Sequence, residues 1–138
     1  MVILFDMYNL PDDVFEIIFS TKQQAIVARQ LVKEFKLHGN VMTKTEMSLF
    51  ATQLHDGEYI AELEEPPYFG KKVKLSYNKR QFYDRILTPM KSMGLIYYDL
   101  YKKTYSLSDK FSKMMQKVGV QWTLELKKPL GTPIKKQG

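Results

Sequence analysis

The sequence has no cysteine and only two histidines, His38 and His55. Without thiols there can be no disulfide, no thiolate zinc site and no cysteine nucleophile. Two imidazoles leave little for histidine-rich metal sites or for acid–base chemistry near neutral pH. No run of about 18 apolar residues occurs, so no membrane-spanning helix is expected. The apolar start, Met1–Tyr8, carries Asp6 and lacks a basic leader, so it does not read as a signal peptide. The phosphate-loop pattern GxxxxGK[ST] and the zinc-protease pattern HExxH are both missing. These absences set aside the commoner enzyme classes. They predict a chain that is not an enzyme, with no catalytic residue, cofactor or metal, no membrane partner and a cytoplasmic location. A carboxylate pair assembled only by folding is the one catalytic arrangement they leave open.

What is present is an ordinary globular composition, 44% hydrophobic and 26% charged over 138 residues. One domain spanning 1–138 is the natural expectation. The net charge of +6 is unevenly placed. Residues 1–70 hold 5 Lys/Arg against 11 Asp/Glu, a net of −6, and residues 71–138 hold 16 against 4, a net of +12. An acidic half joined to a strongly basic half suggests a polyanion docking on one side.

The first apolar segment, 1–19, reads as an N-terminal extension. Pro11 and two following acids suit a helix start, predicting a helix from about residue 10 to 19. Asp12, Asp13 and Glu16 fit that helix start better than a metal site. From Thr21 to about Lys36, Val27, Leu31 and Phe35 recur at helical spacing with Ala28 and Val32 beside them. Ser20 or Thr21 can cap this helix, and Gly39-Asn40 ends it. A brief extended piece, Asn40-Val41-Met42, precedes Thr43-Lys44-Thr45-Glu46, a capping-box pattern. The helix it opens runs to about His55, with Met47, Phe50, Ala51 and Leu54 as its apolar stripe.

Residues 56–75 form an insertion or a β-hairpin arm, with an acidic, proline-broken loop and the basic run Lys71-Lys72-Val73-Lys74. Ser76 is then a candidate cap for a helix over about 77–93. Phe82, Ile86, Met90 and Met93 face inward on it, and Pro89 is expected to kink or tighten its last turn. Leu95–Tyr101 and Tyr105–Leu107 read as a hairpin over 95–107 with Lys102 and Lys103 at its tip. Ser108-Asp109 caps a further helix to about Val118, with Phe111, Met114, Met115 and Val118 facing inward. Val120–Leu126 reads as a strand containing Trp122. The tail, 127–138, is basic and rich in proline and glycine, and is expected to be mobile.

The order helix, short strand, helix, helix, hairpin, helix predicts a mainly α fold with a small antiparallel β-hairpin (α+β). In IIFSTKQQAIVARQL, VMTKTEMSLFATQL, LSYNKRQFYDRILTPMKSMGLI and YKKTYSLSDKF, the chain resembles the winged helix-turn-helix DNA-binding superfamily. The nearest flavour is the arsenic-repressor-like and multiple-antibiotic-resistance-regulator-like regulators of archaeal type. The resemblance covers about residues 17–118. Its best single sign is MKSMGLI, where a helix ends in glycine and turns straight into the first wing strand. One departure stands out. About 20 residues separate His55 from Ser76, where the superfamily joins its two helices by about 3–4.

The resemblance implies a dimeric, sequence-specific double-stranded DNA-binding transcriptional regulator. Terminal elements would build the homodimer, here the N-terminal extension and the Trp122 segment. The helix 77–93 would enter the major groove, and the wing would lie on the backbone or minor groove. On a constant 100° helical wheel the outer face carries Tyr77, Gln81, Asp84, Thr88, Lys91 and Ser92, with Asn78, Arg80 and Arg85 on its margins, and Lys79 adds a further cation to the helix. Arg, Asn and Gln are the types that contact base edges. Thr43 and Lys44 open a helix whose N-terminus suits a phosphate, and Lys102 and Lys103 would be wing contacts. The alternative is a winged-helix protein-interaction or single-strand-binding module of a replication, transcription or partition complex. For each of these residues the plainer role is capping or a solvated charged face.

Overall fold

The computed structural model describes residues 5–63 and 68–131. Its fold is mixed α+β, and the chain divides into two units, Met1–Ser108 and Asp109–Gly138. The start of the N-terminal extension (1–4), the acidic, proline-broken loop (64–67) and most of the tail expected to be mobile (132–138) lie outside the described residues.

The first unit begins with a shorter helix than proline and acids suggested. α1 spans Val14–Ile18 only, and Asp13, not Pro11, defines its start. Asp13 Oδ1 accepts the Phe15 N–H at 2.9 Å, and its other oxygen pairs with Arg29 of the next helix. That cross-link fixes where the first turn begins. α1 ends at Ile18 because Phe19 turns into the core, where it is 7% exposed.

α2 (Lys22–Leu37) is capped by the Thr21 hydroxyl and buries Val27, Ala28, Leu31 and Phe35. Gly39 and Asn40 both take the left-handed conformation, and Asn40 N–H returns to the Phe35 carbonyl at 2.8 Å. β1 (Val41–Thr43) follows and leads into α3 (Lys44–His55). The capping box is formed as expected. Thr43 Oγ1 accepts the Glu46 N–H at 3.1 Å, and Glu46 Oε1 accepts the Thr43 N–H at 2.8 Å.

Residues 56–75 contain an antiparallel ribbon, β2 (Tyr59–Leu63) with β3 (Lys71–Leu75). Alternation sorts its faces. Ala61 and Leu63 are buried against Ile26 of α2, with Val73 and Leu75 beside them. Ile60, Glu62, Lys72 and Lys74 are exposed.

The next helix is capped by Asn78, not by Ser76. Asn78 Oδ1 accepts the Gln81 N–H at 3.0 Å. Its first segment, α4 (Lys79–Phe82), passes into a π-helical turn, Tyr83–Leu87, and then into α5 (Thr88–Ser92). Pro89 was expected to kink or tighten the last turn. Instead the turn before it widens. Pro89 has no N–H, and its ring would collide with the carbonyl four residues back in a regular helix. The Thr88 N–H therefore reaches five residues back, to the Tyr83 carbonyl. The extra residue offsets everything beyond it from a constant wheel. Met93, placed inward by that wheel, is 37% exposed.

Gly94 takes φ +81 and turns the chain into β4 (Ile96–Asp99), which pairs with β5 (Thr104–Leu107). β5 also pairs with β1, so the three-stranded antiparallel sheet has the order β1-β5-β4. Phe35, Met42, Met47, Phe50, Leu54, Phe82, Ile86, Met90 and Ile96 form one core from α2, α3, the α4–α5 rod and the sheet.

The second unit holds α6 (Lys110–Lys127). The expected strand at 120–126 is helical instead. β-branched and aromatic residues there imitate a strand. However, Phe111, Met115, Val118, Trp122 and Leu126 continue at helical spacing through the whole segment. Of the residues expected to face inward, Phe111 and Met114 are half-buried and Met115 and Val118 are exposed, and no α6 residue is buried. Lys127 closes the helix rather than opening a tail.

Candidate nucleic-acid interface

The first-unit helices place the expected residues in three groups. One group gathers at the start of α3. The Lys44 N–H donates to the Lys103 carbonyl at 3.2 Å, and Thr43 pairs with Thr104. Thr43 and Lys44 at a helix N-terminus therefore share a corner with Lys102 and Lys103 at the hairpin tip. All four are exposed. The tip is shaped by Asp99, whose Oδ1 accepts the Tyr101 and Lys102 N–H groups at 2.9 and 3.1 Å. Lys103 completes the turn at φ +54. Tyr101, which the sequence offers as a base-stacking ring but more readily as a strand residue packing on the helices, is 99% exposed at that tip. Its position between Leu100 and two lysines in a turn was the available signal.

A second group has partners within the fold. Tyr77 is 7% exposed and belongs to the core, so it does not reach an outer surface. Its N–H donates to the Leu54 carbonyl at 2.9 Å, which draws the residue inward before the helix starts. Asn78 spends its side-chain oxygen on the Gln81 N–H. Lys79 turns toward α3. Its Nζ donates to Thr52 Oγ1 at 2.9 Å and to Ser48 Oγ at 3.3 Å, and its N–H donates to His55 Nδ1 at 3.2 Å. Lys91 lies over the Tyr98 and Tyr105 rings, 5.8 and 5.9 Å from their centroids. These contacts brace the rod on α3 at one end and on the sheet at the other. Burial, with the neighbouring Tyr83 and Tyr98 hydroxyls, raises the Tyr105 pKa and keeps that ring a neutral support.

Ser48 and Thr52 were missed as partners. With Thr45 and Leu49 they form the outer stripe of α3, opposite Met47, Phe50, Ala51 and Leu54, and with Lys44 they line a shallow depression. The helical spacing was visible, but nothing local pointed it at Lys79.

The third group is free to meet a ligand. Arg80, Gln81, Asp84, Arg85 and Thr88 are all exposed along the rod. The Arg80 and Asp84 side chains are 91% and 65% exposed and face each other across one turn. This surface is cationic and rich in planar hydrogen-bonding groups.

Glu46, an acid close to the α3 start, is already engaged. The Thr43 N–H, then the nearby His38, hold its carboxyl below the ordinary 4.5 against slight desolvation. His38 Nδ1 lies 2.8 Å from Glu46 Oε2, and its Nε2 lies 3.5 Å from Glu34. Glu34 in turn accepts the Tyr59 hydroxyl at 3.0 Å, and burial with that carboxylate raises the Tyr59 pKa. Among the described residues no group of three or more carboxylate or imidazole side chains converges as a metal site. No described helix is long and apolar enough to cross a membrane.

No protein-family model matches the chain, and no curated protein or solved structure matches it.

Proposed function

We propose that the chain is a winged helix-turn-helix, sequence-specific double-stranded DNA-binding regulator that acts as a homodimer. The α4–α5 rod enters the major groove, and the β4–β5 hairpin lies on the backbone or minor groove. One observation carries this reading. Arg80, Gln81, Arg85 and Thr88 are exposed along the outer side of a rod that Lys79 ties to α3 and Lys91 ties to the sheet. A reading helix needs both properties, because base contacts require a fixed helix as well as free donors. The order α2, β1, α3, the rod, β4 and β5, with sheet order β1-β5-β4, supports the same reading. So does the corner joining Lys44 to Lys102 and Lys103, where a helix N-terminus and two ammonium groups suit a phosphate.

The dimer rests on α6. Met115, Val118, Trp122 and Leu126 lie on one helical stripe and are 46–66% exposed. An isolated helix of this length, with Gly119 inside it, is marginal in water unless its apolar face is covered. In this reading a second copy of α6 covers it.

Selection of bound duplexes from a random library tests the proposal. A shared motif, repeated about one helical turn apart, is the expected result. If about five phosphates per monomer are neutralised, log K falls against log salt with a slope near −4.5. No enrichment and no salt slope would overturn it. The emission of Trp122, the one tryptophan, should shift to the blue as protein concentration rises. A monomer at all concentrations would remove the dimer and favour a different protein partner.

A further inference from the structure

The exposed rod carries one carboxylate among its cations, and the DNA reading alone gives it no work. Asp84 stands between Arg80 and Arg85 on the surface that would meet a polyanion. A negative charge there opposes phosphate at every sequence. It is useful only if it meets a hydrogen-bond donor, and in the major groove donors belong to base edges, not to the backbone.

Its geometry with Arg80 indicates which base pair. Arg80 Nε lies 3.9 Å from Asp84 Oδ2, with the two residues one helical turn apart. The pair is loose, longer than a hydrogen bond and exposed, so the terminal Nη groups of the guanidinium remain for a second, bidentate partner. Guanine offers two acceptors in the major groove, O6 and N7, and this is the commonest specific partner of an arginine fork. The cytosine paired with it offers the N4 amino donor beside them. An arginine fork next to a carboxylate thus matches the acceptor–acceptor–donor edge of a G·C pair. On an A·T pair the adenine amino group would confront the arginine donors, and thymine O4 would confront the carboxylate.

We infer that Asp84 is a specificity-determining residue that, together with Arg80, commits the rod to a G·C pair. The inference rests on the DNA-binding reading above and deepens it. Asp84 acts in two ways. Its charge favours Arg80 conformers on the same side of the rod, and it penalises pairs that present an acceptor where cytosine presents its amino group.

The test is duplex selection with the full-length wild type, Asp84→Ala and Arg80→Ala, followed by titrations on the selected site. The wild type should enrich sites with one invariant G·C pair. Asp84→Ala should still bind, as tightly or more tightly on random duplex, since it removes a negative charge. Its discrimination at that one pair should fall about tenfold, within the range a good base contact supplies. Arg80→Ala should lose the preference at the same pair. Replacing that guanine by 7-deazaguanine, which lacks the N7 acceptor, should weaken the wild type and leave Arg80→Ala unchanged. Thermal melting of each variant should match the wild type, because both side chains are mostly exposed. An Asp84→Ala variant that keeps the full preference would overturn the inference while leaving DNA binding intact. So would a variant that weakens all sequences equally. A wild type that binds no duplex would overturn both readings together.

Discussion

Replacing Lys79 by methionine separates bracing from DNA contact. Methionine keeps the apolar stem and removes the ammonium. That ammonium donates to Thr52 Oγ1 at 2.9 Å and, more weakly, to Ser48 Oγ at 3.3 Å. A hydrogen bond from a charged donor contributes about 1.5–3 kcal/mol. The site is only partly buried, so the lower figure suits the shorter bond and about a third of it the longer. Together they give about 2 kcal/mol by that scale. A cation in the first turn of a helix also opposes the dipole, and removing it recovers about 0.5 kcal/mol. The net expectation is a loss of about 1.5 kcal/mol, roughly 6–12 °C for a unit of this size. Urea titration by far-ultraviolet circular dichroism measures the loss, and DNA affinity over a salt series measures the contact. Bracing predicts a lower urea midpoint with the salt slope retained. An unchanged midpoint with a slope smaller by about 0.9 would mean that Lys79 sits on a phosphate, and would refute the bracing argument.

The exposed turn lysines should behave in the opposite way. Lys102→Ala and Lys103→Gly should leave the melt nearly unchanged, lower the salt slope by about 0.9 each and weaken all duplexes alike; a changed base preference would count against a backbone role. Glu46 has a lowered pKa, so its stabilisation is complete above the ordinary carboxylate value of 4.5 and is lost as pH falls through the lowered one. Glu46→Gln should therefore flatten the acid limb of a melting-temperature profile, and a parallel profile would refute the assignment. Replacing the ribbon 58–75 by a short glycine turn should give a folded, less stable protein whose selected duplex motif is unchanged; a changed motif would place the ribbon on DNA.

Much of the first unit was legible because its signals are local. Thr43 and Glu46 are three residues apart and cap each other, so four adjacent residues are enough to locate the start of α3. Gly39-Asn40 ended α2 for a similarly local reason. The errors fall where distant residues decide. Tyr77 has the polar hydroxyl of a surface residue, but Leu54, 23 positions away, draws its backbone into the core. The Lys79 contacts with Ser48 and Thr52 were not legible either, since both partners are far from it in sequence. The cap moved from Ser76 to Asn78 because β3 continues to Leu75 and leaves no room to start a helix there. Pro89 gave the right location for an irregularity and the wrong sense, since a missing donor can be met by widening a turn as well as by tightening it. In α6 two periodicities competed, and the short alternating stretch around Trp122 was weighed above the longer helical one.

The ribbon between α3 and the rod is the departure that most challenges a helix-turn-helix reading, and the structure shows how its effect is contained. A long insertion loosens two helices only if it is their sole connection. Here the ends of the insertion are held together. A Cβ built on Gly57 would lie 3.7 Å from Ser76 Cβ, so the chain leaves and returns at nearly one point. The Tyr77 N–H bonds to the Leu54 carbonyl across that gap, and the Lys79 N–H bonds to His55. Phe50 and Phe82 then meet edge to face, with ring centroids 5.5 Å apart. Each of these contacts joins α3 directly to the rod or its entry, and none passes through β2 or β3. The ribbon packs on Ile26 of α2, and its Tyr59 ring meets the Phe50 ring of α3 edge to face, with centroids 4.9 Å apart. The rod therefore takes its position from α3 and the sheet, so an insertion of this length costs the reading face little of the rigidity that base contacts require.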